Sequence, residues 1–133
     1  MSEDAIATTL IEMERQALNR WARGDPDGFL AISSPDVSYF DPFVEKRLDG
    51  LDALRALYEQ LRGKVRIDHF AMLAPRVQAV GNAAILTFQF ESSGSAGPKL
   101  WNTTEVYRQT AGGWRIVHTH WALNRPQPPA AGV

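Results

Sequence analysis

Asp41 stands before a proline, in Tyr39-Phe40-Asp41-Pro42-Phe43. A carboxylate walled off from water by apolar side chains is placed to act as a general base. The same Asp-Pro dipeptide is also turn chemistry, with the carboxylate accepting from nearby amides. Glu105 falls in the middle of an alternating segment. Period-two alternation puts it on one face with Trp101, Thr103 and Tyr107, and puts Leu100, Asn102, Thr104, Val106 and Arg108 on the other. An acid between Trp and Tyr suits a pocket wall; the alternative is a surface carboxylate paired across strands with an arginine. His118 and His120 alternate onto a single face, a usable metal spacing that still needs a third ligand. Asp68 and His69 are the available contributors. The competing reading is a polar strip on the outer face of a sheet, and no metal is expected. Thr119 and Trp121 point the opposite way, toward the expected pocket.

Other chemistries are excluded by what is missing. The 133-residue chain has no cysteine, which rules out disulfides, thiolate metal sites and a cysteine nucleophile. No Gly-rich phosphate loop, serine-nucleophile setting or basic aromatic platform occurs. Fourteen basic and 15 acidic residues leave a net charge of −1, which gives no electrostatic reason to expect nucleic acid or an anionic membrane as partner. The acidic start Ser2-Glu3-Asp4 does not read as a signal peptide, and no apolar run approaches the roughly 20 residues that span a bilayer. A cytoplasmic protein without a cofactor is expected.

The elements that must position these residues follow from periodicity. Ile6, Leu10, Met13, Ala17 and Trp21 form a helical stripe with Ser2 as cap and Gly24 as stop. Asp25-Pro26 starts a short second helix with Phe29 and Ile32 buried, ended by Ser34-Pro35-Asp36. Residues 37–41 read as a short strand. A third helix follows Asp49-Gly50 and carries Leu51, Leu54, Leu57, Tyr58 and Leu61 on one side. From Val65 the period becomes two, giving strands over 65–80, 83–91, 99–110 and 114–123, with a bend near Ala74-Pro75. Gly81-Asn82 and Ala111-Gly112-Gly113 are hairpin signals. Helices followed by an antiparallel meander is the α+β layout, here one domain over 1–124 with a Pro-rich tail over 125–133 expected to be disordered.

Tyr39-Phe40-Asp41-Pro42-Phe43, then Leu48-Asp49-Gly50-Leu51 and the helix through Tyr58, resemble the nuclear transport factor two-like (SnoaL-like) superfamily. Within it the chain is similar to ketosteroid-isomerase-like proteins over residues 3 to about 124. The resemblance implies a cone of N-terminal helices on a curved antiparallel sheet, one pocket, and a homodimer formed through the sheet. It also implies that Asp41 is the proton shuttle and Glu105 the acid donor to the oxyanion. The donor Tyr of the steroid isomerases falls at Ala17, so that hydroxyl is absent, and Tyr58 is the available substitute. Trp21, Phe40, Phe88, Phe90, Trp101, Thr103, Thr119 and Trp121 are the expected pocket lining.

Three functions compete. The first is an isomerase or lyase acting on a small hydrophobic carbonyl compound through Asp41, Glu105 and Tyr58. Authentic steroid isomerisation is not expected, because one oxyanion donor is worth about 3–4 kcal/mol. The second is a non-catalytic module that binds an apolar ligand. The third is an oligomerisation module, since residues 114–121 also resemble the association domains of calmodulin-dependent kinases.

Overall fold

A computed structural model describes residues 2–95 and 97–124; the tail expected over 125–133 lies outside the described residues. Helix α1 runs Glu3–Ala22, capped by the Ser2 hydroxyl, which accepts from the Ala5 amide at 3.1 Å, with Glu3 and Asp4 at the positive end of its dipole. Its buried side is Ile6, Leu10, Glu14, Ala17 and Leu18. Helix α2 is Asp27–Ala31 and helix α3 is Leu51–Leu61. Helix α2 begins later than the sequence suggests: Pro26, not Asp25, is its N-cap, and the Asp25 carboxylate accepts from the Asp27 amide at 2.9 Å just ahead of it. The α1–α2 crossing is close: a Cβ on Gly28 would stand 3.1 Å from the Ala17 Cα, so glycine at 28 serves this packing.

Six strands form one open sheet in the order β2-β1-β6-β5-β4-β3: β1 Ser33–Phe40, β2 Leu48–Asp49, β3 Ile67–Val80, β4 Ala83–Gly94, β5 Lys99–Thr110 and β6 Gly113–Leu123. The strands from β3 to β6 are the expected antiparallel meander. The sheet as a whole is mixed rather than antiparallel, because β1 joins it alongside β6, and parallel to it. The first strand also starts earlier than residue 37. Ser34-Pro35-Asp36, read from sequence as a helix stop, lies inside β1, where the register to β6 shifts between Ser33 and Ser38. Pro35 has no N–H to give the ladder, which accounts for that gap. The bend near Ala74-Pro75 appears as a register shift between Leu73 and Arg76, with Ala74 at φ +49°.

The core lies between α1 and the concave face of the sheet. Leu10, Leu18, Leu86, Tyr107 and Ile116 are fully buried there. At one end the layers diverge, and α3 and the loop after β1 close the opening into a cavity.

Candidate functional site

The cavity has a volume of about 300 Å³, and eight of its 19 lining residues are aromatic. Trp21 from α1 packs on Phe29 and Tyr58, with ring centroids 6.0 and 5.0 Å away. Trp121 from β6 meets Phe90 at 5.4 Å and Trp101 at 6.0 Å, all edge-on. Edge-on contact is the favourable arrangement for these quadrupoles and fixes the ring planes that a ligand meets. Lys64, Arg66 and Lys99 also line it, among aliphatic and small polar residues.

Asp41, Tyr39 and Tyr58 form the polar wall. The Tyr39 hydroxyl donates to Asp41 Oδ2 at 2.7 Å, and the amides of Phe43 and Val44 donate to Oδ1 at 2.7 and 3.0 Å. The carboxylate organises the turn and also lines the cavity. A carboxylate has about four acceptor positions, so one remains after these three bonds. Tyr39 and Tyr58 meet edge-on at 5.8 Å. Burial pushes both hydroxyls well above the usual tyrosine range, so they stay protonated donors.

Of the residues singled out in the sequence, Asp41, Tyr58, Trp21, Phe90, Trp101 and Trp121 line the cavity. Phe88, Thr103, Thr119 and Glu105 are on the concave face but are not part of the lining. They sit deeper, under the packed layer; Phe88, for instance, lies behind Trp121 at 6.0 Å. Phe40 points the other way. It is 36% exposed and packs against His118 and His120 at 5.8 and 5.3 Å on the outer face. Adjacent strand residues face opposite sides, so Tyr39, not Phe40, shares the side of Asp41. Counting in twos back from Asp41 finds it.

Glu105 has a partner that the sequence reading passed over. Glu14 is fully buried on α1, and its Oε1 accepts from the Tyr107 hydroxyl at 2.6 Å. Glu14 Oε2 and both oxygens of Glu105 have no other protein donor. Two carboxyl groups in contact in a dry core cannot both be ionised. Burial pushes Glu14 up to about 7 and Glu105 well above the usual carboxylate range, with the Glu14 charge adding to the latter. Glu105, shifted further than Glu14, is the one of the pair that holds its proton more firmly. The signal was available: Ile6, Leu10, Glu14 and Leu18 are each four apart, which puts Glu14 in the middle of the apolar stripe.

His118 Nδ1 lies 2.7 Å from the Ser38 hydroxyl, and burial, helped by the His120 charge, lowers its pKa. Among the described residues no three His, Asp or Glu side chains are grouped to hold a metal ion. Nor is any helix among them long and apolar enough to cross a membrane.

Comparison with known proteins agrees with this architecture. The α chain of a calcium/calmodulin-dependent protein kinase type II from Drosophila melanogaster is 26% identical over 119 residues, covering 84% of this chain and 22% of the kinase. This chain thus spans about a fifth of that relative. A proposed ketosteroid isomerase from Parabacteroides distasonis superposes with a TM-score of 0.80 at 41% identity, covering 88% of this chain and 86% of that one. A nuclear transport factor 2-like protein of unknown function from Pseudomonas putida gives 0.82 at 20% identity, over 97% and 99% of the two chains, a likeness of fold. Residues 7–124 match the family model of the calcium/calmodulin-dependent protein kinase II association domain, and the chain belongs to that family, within the nuclear transport factor 2-like, ketosteroid-isomerase-like fold.

Proposed function

We propose that the chain binds a small apolar carbonyl compound in the aromatic cavity and moves a proton beside that carbonyl. Asp41 takes the proton from the carbon next to the carbonyl. The C–H electron pair passes into the enolate, whose oxygen accepts from the Tyr58 hydroxyl. Return of the proton to another carbon completes an isomerisation; expulsion of a leaving group one carbon further completes an elimination. The observation that carries this reading is the wall itself: a carboxylate with one free acceptor position beside a protonated tyrosine in a cavity of aromatic rings. The relative from Parabacteroides supports the reaction class. Steroid isomerisation as such is not the reading, since Ala17 supplies no hydroxyl and Glu105 lies outside the lining.

Solvent deuterium exchange into a panel of enolisable ketones, followed by NMR, tests it. Exchange that is lost in Asp41→Asn and slowed in Tyr58→Phe is expected. Unchanged exchange in Asp41→Asn removes Asp41 as the base, and no exchange by the parent protein on any ketone overturns the enzyme reading in favour of a binding module.

A second reading, self-association through the outer face of the sheet, is supported by the association-domain family. On that face Phe40, His120, Thr104 and Thr87 lie in one row across four strands, and Ser38, His118, Val106 and Ile85 in the next. A homodimer through this face brings exposed Phe40 out of water. Light scattering over a concentration series checks it: a monomer at every concentration ends this reading, and Phe40→Glu is expected to dissociate the dimer.

A further inference from the structure

We infer that Oδ2 of Asp41 is the atom that takes the proton, and that Tyr39 is the residue that positions it. This rests on the proposal that Asp41 is the base, and it adds which oxygen acts and what aims it. Each carboxylate oxygen offers two lone pairs. Oδ1 accepts from the amides of Phe43 at 2.7 Å and Val44 at 3.0 Å, so both of its positions are taken. Oδ2 has one donor among the described residues, the Tyr39 hydroxyl at 2.7 Å. The vacant lone pair is therefore on Oδ2. In the reaction the C–H bond breaks, its proton joins that lone pair, and its electron pair passes into the enolate. Tyr39 keeps its own proton, since burial pushes its hydroxyl well above the usual tyrosine range.

Asp41 lies just past the end of β1, outside the sheet ladder. The Phe43 and Val44 amides belong to the same turn and move with it. Of the three donors, Tyr39 alone belongs to the sheet. Its backbone pairs with Leu48 of β2 on one side and with Thr119 of β6 on the other. Its side chain is buried, lines the cavity and meets the Tyr58 ring edge-on at 5.8 Å. One residue thus ties the base on the turn to the packed ring that carries the oxyanion donor. A functional group borne by a loop is aimed best when a rigid element holds it. The same hydroxyl also works against the reaction, because a donor to a carboxylate favours the ionised form and makes a weaker base. The two effects differ in sign: losing the aim slows proton transfer, and losing the donor alone speeds it. Aim is the larger effect, since a misplacement of about 1 Å costs about 100-fold in rate.

Solvent deuterium exchange into the methyl group of 2-acetylnaphthalene, an enolisable ketone with an apolar ring body, tests this when followed by NMR over a range of ketone concentrations. Tyr39→Phe removes only the hydroxyl, and Tyr39→Leu removes the ring as well. The expected result is a kcat for exchange at least about tenfold lower in Tyr39→Phe, with KM unchanged, and a kcat no higher in Tyr39→Leu. If the ring matters only for packing, Tyr39→Phe will match the parent and Tyr39→Leu will show a raised KM, which overturns the positioning role. An unchanged or raised kcat in Tyr39→Phe, together with exchange that is lost in Asp41→Asn, overturns it too and leaves Asp41 standing as the base. No exchange by the parent overturns both the base and its positioning.

Discussion

The Tyr107 hydroxyl donates to Glu14 Oε1 at 2.6 Å, joining the middle of β5 to the middle of α1 across 93 residues of sequence. Both residues are fully buried, so the bond cannot be exchanged for one to water. Removing the donor leaves a buried carboxyl oxygen unpaired, which costs about 1–3 kcal/mol. Tyr107→Phe is therefore expected to lower the stability measured by urea unfolding by about that amount. In a Glu14→Leu background the same change should cost far less, because the acceptor is gone, and additivity of the two changes would refute the coupling.

The carboxyl pair sets a pH dependence. The Glu14 pKa rises from its ordinary 4.5 to about 7 through burial. Between those values the folded state keeps a proton that the unfolded chain has released. Stability is full below about pH 4.5 and falls as pH rises toward 7, by about 1.4 kcal/mol per pH unit for each proton so linked. Glu105, shifted further the same way, extends the fall to higher pH. His118 acts in the opposite sense, its lowered pKa removing stability as pH falls. Melting temperatures from pH 5 to 8 should therefore decline in the parent. In Glu105→Gln, whose neutral amide donates to Glu14 at every pH, the decline should be shallower; an identical slope in both would exclude the pair as its source.

The order of elements was legible in the sequence because the hydrophobic period changes once, from helical to alternating, near residue 65. The mixed pairing of β1 with β6 was not, since those residues are some 80 positions apart and parallel pairing leaves no turn motif between partners. At the site, Asp41 and Tyr58 could be named because the Asp-Pro-Phe segment and the helix after Gly50 carry the family resemblance. Glu105 was assigned to the right face but the wrong depth. Alternation tells which side of a sheet a residue is on, and only the position of α1 decides which part of that side faces the cavity. Glu14 was missed because a carboxylate in an apolar stripe looks like an error in the period until its partner on another element is known.

Gly24 carries a load that its place at the end of α1 does not reveal. Its φ is +84°, and a Cβ there would stand 3.0 Å from the Gly63 Cα and 3.2 Å from the Val65 carbonyl. Both neighbours are backbone and have no rotamer in which to retreat. Gly24→Ala combines a left-handed conformation with this contact, so a loss of more than about 1 kcal/mol is expected. An unchanged melting temperature would show that the α1–α3 tie is looser than the geometry indicates.

Asp41 serves the turn and faces the cavity, and two substitutions separate these duties. Asp41→Asn keeps an oxygen that can accept from the Phe43 and Val44 amides, so the turn should hold and stability should stay within about 0.5 kcal/mol of the parent. Asp41→Ala removes the acceptor for both amides and for the Tyr39 hydroxyl, and should cost about 1–2 kcal/mol. If the carboxylate matters only for the turn, ligand binding and proton exchange will follow stability, with Asn close to the parent and Ala impaired. If it is the base, exchange will be lost in both while 2-acetylnaphthalene binding in Asn is retained. Chemical denaturation, titration and exchange on the same three proteins therefore distinguish a turn residue from a proton acceptor at one position.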